Sequence, residues 1–75
     1  MEYVVVGYPG NRKVLVDGQA AGNTNDTLCV ETGNHIFSLG GPYDYQPPTV
    51  EKVVEETTSE NPMVIDDFHP ARGGE

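Results

Sequence analysis

The fold is decided by the stretch Arg12-Lys13-Val14-Leu15-Val16-Asp17-Gly18. Alternate side chains of a β-strand point to opposite faces, so Val14 and Val16 share one face and the residues beside them share the other. Asp17-Gly18 follows at once, and this pair tolerates the positive φ angles of a tight turn. The stretch therefore predicts a half-buried strand that ends in a sharp turn.

Short apolar runs separated by turn residues continue on both sides of this stretch. The chain contains nine glycines and six prolines, and many of them stand between apolar runs. Short apolar runs with glycine and proline between them are typical of an all-β domain. Further strands are predicted over residues 3–8, 27–31, 35–39, 49–56 and 63–68, and connecting loops over residues 19–26 and 40–48.

Residues 49–56 fit two kinds of element. Val50, Val53 and Val54 have the i, i+3, i+4 spacing of an apolar helix face. Three valines in eight residues favour a strand instead. Lys52 also occupies the position where a helical capping box would place a glutamate. We therefore predict a strand here.

The links between the predicted strands are mostly short. Short links join antiparallel strands, because a parallel connection needs a crossover of a dozen residues or more. We predict a small all-β fold, an antiparallel β-sandwich of about six or seven short strands. Residues 1–70 are predicted to form this single domain, and residues 71–75 a flexible C-terminal tail.

The net charge of the chain is −8, from twelve acidic residues against four lysines and arginines. Binding to nucleic-acid phosphates needs clustered Lys and Arg, and anionic lipid attracts the same basic side chains. No apolar run approaches the length of a membrane span. These features argue against nucleic acid as a partner and against membrane insertion. The acidic residues form either a solvated surface or a surface that attracts a basic partner.

Cysteine content and the N-terminus bear on the compartment. Cys29 is the only cysteine, so no intrachain disulfide can form. The first residues, Met1-Glu2-Tyr3, lack the basic segment that opens a signal peptide. We expect a cytoplasmic protein if the chain is complete, and a cell-surface or periplasmic one if it was excised from a longer protein.

A series of turn and strand motifs resembles the PEGA domain. The motifs are Pro9-Gly10, Val14-Leu15-Val16-Asp17-Gly18, Gly22-Asn23-Thr24 and Gly33-Asn34-His35, followed by Phe37 and Leu39. The family's Pro-Glu-Gly-Ala tetrapeptide is Pro9-Gly10-Asn11-Arg12 here, and its Thr-Pro is Thr24-Asn25. The resemblance covers residues 3–68 and implies a prealbumin-like or carboxypeptidase-regulatory-like β-sandwich. PEGA domains are usually appended modules of prokaryotic proteins and share no catalytic residues.

Tyrosines and prolines are concentrated in the predicted loop over residues 40–48. Tyr43, Tyr45 and Pro47 are the predicted partner-binding residues, because aromatic side chains on a proline-stiffened loop give contact area at low entropic cost. The alternative is that the loop folds its aromatic side chains over the open end of a small core.

Other polar groups carry weaker signals for chemistry. His35 lies on the apolar face of its strand, which predicts a partly buried histidine that is hydrogen-bonded to the backbone. A general base would need a carboxylate nearby, and the sequence places none. Asp66, Asp67 and His69 contain ligand atoms for a divalent ion, but successive strand residues point to opposite faces. Cys29 has acidic neighbours, which predicts an inert thiol. We predict no catalytic residue, no metal ligand and no cofactor.

The leading hypothesis for function is a non-enzymatic protein-interaction or spacer module. Its partner is predicted to be another protein, and a homodimer formed through a sheet edge is a second option. The first alternative is an acidic decoy that mimics nucleic acid and binds a basic partner. A weak metal-binding or enzymatic site ranks last.

Overall fold

The structure is a computed structural model, and it describes residues 1–71 of the chain. Nine strands and no helix occur in this range. The strands are β1 (Glu2–Val6), β2 (Lys13–Val16), β3 (Gln19–Asn23), β4 (Thr27–Val30), β5 (Gly33–Leu39), β6 (Tyr45–Gln46), β7 (Val50–Val54), β8 (Met63–Ile65) and β9 (His69–Pro70). The predicted small all-β fold is confirmed.

Two sheets and a short ribbon make up the fold. One sheet has four antiparallel strands in the order β3-β2-β5-β7. The second has three strands in the order β4-β1-β8. The ribbon pairs β6 with β9. Residues 1–71 contain no helix that is long and apolar enough to cross a membrane.

One strand pair is parallel, which the strand spacing did not predict. β1 runs antiparallel to β4 but parallel to β8, with Val4 opposite Met63 and Val6 opposite Ile65. Short links require antiparallel pairing only between strands that are consecutive in the chain. β1 and β8 stand at opposite ends of the sequence, so the rest of the domain serves as the crossover between them.

The core lies between the two sheets and is closed at one end by aromatic side chains. Its buried members are Val4, Val6, Val14, Leu28, Val30, Phe37, Leu39, Tyr45, Val50, Val54, Ile65 and Phe68. The predicted alternation is confirmed in β4, where both apolar residues are buried and the residues between and before them are exposed. It is also confirmed at Phe37 and Leu39 in β5.

The predicted loop over residues 19–26 is wrong for its first five residues, which form β3. Gln, Ala, Gly and Asn have low β propensity, so the sequence gives little strand signal here. The strand forms because Asp17 and Gly18 adopt φ angles of 53° and 85°. Two successive positive φ angles are the pattern of a type I′ hairpin turn, and this turn directs the chain back along β2.

Residues 50–54 form a strand, as the valine content indicated. β7 pairs with β5 over five residues, from Val50 opposite Phe37 to Val54 opposite Gly33. Val50 and Val54 face the core, and Val53 is exposed. The apolar residues that fit a helix spacing are therefore distributed over both faces of a strand.

The end of the described chain is tied to the rest of the domain. His69 and Pro70 pair with Gln46 and Tyr45. The backbone N–H of Ala71, the first residue of the predicted flexible tail, donates a hydrogen bond of 2.7 Å to the carbonyl oxygen of Asp44. The remaining residues of the predicted tail, 72–75, lie outside the described residues.

Candidate functional site

Residues 40–48, hereafter the Tyr43 loop, follow the end of β5 and contain the three predicted partner-binding residues. The segment is predicted to be a loop throughout, but its residues Tyr45–Gln46 form the short strand β6. The structure separates the three predicted residues. Tyr43 is 82% exposed, and Pro47 is exposed as well. Tyr45 is only 6% exposed, because it belongs to the core. The prediction that Tyr45 contacts a partner at the surface is therefore wrong, because Tyr45 is a buried residue that holds the loop in place.

Two contacts hold Tyr45 in place. Its hydroxyl donates a hydrogen bond to the carbonyl oxygen of Leu39. Its ring packs edge-to-face on Phe68, with 5.8 Å between the ring centroids. For Tyr45, the alternative that the loop covers the open end of the core is therefore the correct one. Tyr43 lies outside this cover, with its ring centroid 6.1 Å from that of Tyr45.

Arg12 fixes the path of the Tyr43 loop. Its Nη2 donates to the carbonyl oxygens of Gly40 and Pro42, each at 2.6 Å. Its Nη1 lies 2.8 Å from Oδ1 of Asp44. The planar guanidinium thus holds three acceptors of one loop. The side chain of Arg12 is only 15% exposed, which makes these bonds stronger than ion pairs in open water.

Sequence reasoning did not identify Arg12 as a functional residue. The guanidinium carbon lies 5.6 Å above the ring of Tyr8 and 5.2 Å above that of Tyr45. Both are cation–π distances. The only hint in the sequence was that Arg12 stands where the PEGA pattern has alanine. Its partners are about thirty residues away, so local pattern does not reveal them.

A cleft of about 360 Å³ lies at the other end of β5, between the edges of the two sheets. Strand β3 lines it with Ala20 and Ala21, and β4 lines it with Cys29 and Val30. Titratable groups of the lining residues are the side chains of Asp17, Glu31, His35 and Cys29 and the amino group of Met1. No pattern in the sequence predicts the cleft, because residues 19–26 are small and polar and resemble a loop.

His35 has an acceptor at each ring nitrogen. Nδ1 lies 2.7 Å from Oδ2 of Asp17, and Nε2 lies 2.6 Å from the carbonyl oxygen of Glu31. The hydrogen bond to Asp17 and then that to Glu31 raise the pKa of His35 above its usual value of 6.5. Both bonds favour the doubly protonated imidazolium. The prediction of a partly buried histidine hydrogen-bonded to the backbone is confirmed.

The carboxylate that the sequence did not place beside His35 belongs to Asp17. The alternation of β2 would direct the Asp17 side chain to the outer face, but its left-handed backbone ends that alternation. Oδ1 of Asp17 accepts a hydrogen bond of 3.0 Å from the N–H of Ile36. That bond and the one to His35 lower the pKa of Asp17 below its usual value of 3.8. When the imidazole is doubly protonated and donates both bonds, neither ring nitrogen has a lone pair to act as a base.

The remaining polar candidates stay apart. Cys29 is exposed and free. Oδ2 of Asp67 lies 3.4 Å from Nζ of Lys52, in an exposed ion pair. Over residues 1–71, no three His, Cys, Asp or Glu side chains are grouped so that they could hold a metal ion.

Comparison of the chain with protein-family models, with curated proteins and with solved structures found no match. Function is therefore inferred from the geometry of the Tyr43 loop and of the cleft.

Proposed function

We propose that this domain is a non-catalytic protein-interaction module that binds its partner through the Tyr43 loop. The observation that carries the proposal is the 82% exposure of Tyr43 on a loop whose backbone Arg12 holds. A large aromatic side chain in water is unfavourable in a monomer. In an interface it supplies apolar area and a hydroxyl group, and tyrosine is enriched among the residues that dominate binding.

Rigidity of the loop supports the same role. Binding to a flexible loop costs the entropy of ordering it, and a loop already held in one conformation avoids much of that cost. Here the loop is held by Arg12 on one side and by the buried ring of Tyr45 on the other. Pro47 lies exposed beside them and adds apolar surface. The predicted partner is a protein with an apolar pocket that accepts the Tyr43 ring.

Two further considerations agree with a module that binds and does not catalyse. Both ring nitrogens of His35 lie against oxygens of the protein itself, so neither is left to contact a substrate. The motifs that resemble the PEGA domain would also place the chain among appended modules, and membership of that family is part of the proposal.

The experiment uses a displayed peptide library selected on the immobilised chain. Each selected peptide is then titrated against the wild type, Tyr43→Ala and Val64→Ala by fluorescence polarisation. Val64 is a matched control, because it is a 61% exposed apolar residue on β8. We expect Tyr43→Ala to weaken binding by about tenfold or more and Val64→Ala to leave it unchanged. Equal affinity of wild type and Tyr43→Ala for every selected peptide would refute the proposal.

A second variant tests the role of loop rigidity. Arg12→Lys keeps the positive charge but loses the planar fork that holds three acceptors. We expect weaker binding with Tyr43 still present, measured well below the melting temperature of the variant. Wild-type affinity in Arg12→Lys would contradict the argument from a preformed loop.

The acidic-decoy alternative makes a different prediction for the same titrations. A surface that mimics nucleic acid binds through many charge pairs, so its affinity falls steeply with salt. Binding through Tyr43 depends mainly on apolar contact and changes little with salt. Strong salt dependence together with insensitivity to Tyr43→Ala would favour the decoy.

A further inference from the structure

We propose that the cleft between β3 and β4 is a second docking site, which accepts a short extended segment of another polypeptide along the edge of β3. The site lies at the opposite end of β5 from the Tyr43 loop. It is therefore independent of the proposed function, and each proposal can fail without the other.

The edges of the two sheets are protected to different degrees. Within residues 1–71 the edge strands are β3 and β7 in one sheet, and β4 and β8 in the other. β7 contains Glu51 and Lys52, and β8 runs directly into Asp66. Charged residues are a usual protection of an edge against further pairing. β3 and β4, the two edges that border the cleft, contain no charged residue.

The side chains of β3 leave room for an added chain. Ala20 and Ala21 are exposed and line the cleft. Ala21 also falls at a bulge, where the pairing of β3 with β2 shifts by one residue. Toward Gly22 the opening closes, because a Cβ on Gly22 would lie 2.3 Å from Cδ2 of Leu28 in β4. The accessible edge therefore spans residues 19–21.

These dimensions define the ligand. Three residues of an extended chain span about 10 Å, and main-chain hydrogen bonds to an edge supply affinity while alternate side chains enter the neighbouring pocket. The apolar part of the pocket includes Val16 and Val30. A small or medium apolar side chain fits beside them, and a larger ligand would need the closed part of the edge.

The net charge of −8 and an exposed carboxylate at the cleft favour a basic segment. The lining holds charged groups of both signs, because it includes His35 and Met1 as well as Asp17 and Glu31. Asp17 is already paired with His35, which leaves the exposed carboxylate of Glu31 for a ligand cation. A second copy of this chain is disfavoured as the occupant, because each copy has a net charge of −8 and like charges repel. The site therefore fits an extended segment with a lysine or arginine next to its apolar residue.

The probes are capped pentapeptides that alternate valine and threonine and carry one lysine. A second set, in which glutamate replaces the lysine, serves for comparison. Amide chemical shifts of the ¹⁵N-labelled chain report where each peptide binds. We expect the lysine peptides to shift the amides of residues 19–21. Ala21→Lys places a charge on the edge at the bulge and should abolish these shifts.

Glu31→Lys tests the charge selection, with Glu60→Lys as its matched control. Both variants change the net charge equally, and Glu60 is exposed and away from the cleft. We expect Glu31→Lys to lower the affinity of the lysine peptides by about threefold or more and Glu60→Lys to lower it less. The proposal would be overturned if the two variants had equal effects on binding, or if the lysine peptides caused no shifts at residues 19–21. It would also be overturned if protein concentration alone shifted the amides of those residues.

Discussion

Asp17 and His35 join the hairpin turn between β2 and β3 to the first residues of β5. One carboxylate oxygen of Asp17 lies 2.7 Å from Nδ1 of His35. The hydrogen bonds from His35 to Asp17 and to Glu31 raise the pKa of His35, and the N–H of Ile36 together with His35 lowers the pKa of Asp17. The stability of the domain therefore depends on pH in two ranges, one below pH 3.8, where Asp17 takes up a proton, and one above pH 6.5, where His35 loses its proton.

The first prediction concerns the loss of the proton from His35. A histidine whose pKa is raised by folding stabilises the fold fully below its unfolded pKa of 6.5, and this contribution is lost as pH rises through the raised value. We expect the free energy of unfolding to fall over that range and the fall to be smaller in His35→Gln. Urea unfolding at about pH 5.5 and at about pH 9 measures the difference.

His69→Gln is the control for this measurement. His69 is exposed on β9, and no hydrogen bond or ion pair of its side chain is found within residues 1–71. The His69→Gln variant should keep the wild-type dependence on pH. A wild-type profile in His35→Gln would mean that the contact with Asp17 does not persist in solution.

Glu2 provides the second prediction, on the acidic side. Its carboxylate accepts hydrogen bonds from the hydroxyl of Thr32 and from the hydroxyl and backbone N–H of Thr57. These bonds, that of Thr32 first, lower the pKa of Glu2 from 4.5 to about 2. A glutamate with a lowered pKa stabilises the fold above its unfolded pKa. This contribution is lost as pH falls through the folded value.

We therefore expect Glu2→Gln to lose stability at neutral pH and to lose less than the wild type between pH 4.5 and about 2. Thermal unfolding over that range measures both effects. Glu55→Gln is the control, since Glu55 is exposed and accepts no side-chain hydrogen bond within the described residues. If the two variants behave alike, the hydrogen bonds to Glu2 do not contribute.

The features that the sequence predicted correctly are those decided by neighbouring residues. Asp17-Gly18 forms the predicted turn because its backbone preference is local. Phe37 and Leu39 face the core because the alternation of a strand requires only that the chain be extended. The strand over residues 50–54 follows from its valines, which prefer a pleated and half-buried surface.

The features that the sequence missed depend on contacts between distant residues. The parallel pairing of β1 with β8 brings together the two ends of the domain. Arg12 reaches its acceptors about thirty residues along the chain. The burial of Tyr45 depends on Phe68, which comes more than twenty residues later. No periodicity in a single sequence reports such contacts, so the division between Tyr43 and Tyr45 required the structure.

Thr24 supports the third prediction. It is a buried polar residue, only 2% exposed. Its hydroxyl accepts a hydrogen bond from the N–H of Arg12 and donates one to the carbonyl oxygen of Gly10, both at 2.8 Å. Thr24→Val keeps the shape of the side chain and removes the hydroxyl. The variant removes the partner of the Arg12 N–H and leaves the Gly10 carbonyl oxygen only the 3.5 Å contact from Nδ2 of Asn25. We therefore expect the free energy of unfolding to fall by about 1–3 kcal/mol.

Chemical denaturation of Thr24→Val and of Thr27→Val checks this loss. Thr27 lies exposed on β4, and valine has a higher preference for strands than most residues. We expect Thr27→Val to lie within about 0.5 kcal/mol of the wild type. A loss in Thr24→Val no larger than in Thr27→Val would mean that water replaces the hydroxyl.

Gly22 supports the last prediction, which tests how the two sheets meet at β3 and β4. The φ angle of Gly22 is 157°, and a Cβ at this position would lie 2.3 Å from Cδ2 of the buried Leu28. We expect Gly22→Ala to destabilise the domain by about 1–3 kcal/mol, as overpacking of a core does. Gly10→Ala is the control, since an added Cβ there meets no atom within 4 Å.

A double-mutant cycle with Leu28→Ala separates the steric contact from the backbone effect. Leu28→Ala alone should cost about 2–5 kcal/mol, because it leaves a cavity in the core. In the double variant the shortened side chain leaves room for the new Cβ, so the combined loss should be smaller than the sum of the single losses. The strain of a side chain at the φ angle of Gly22 is present in Gly22→Ala and in the double variant, so it cancels in the cycle. Additive losses in urea unfolding would show that Leu28 does not pack on Gly22, and that the edges of the two sheets are not closed there.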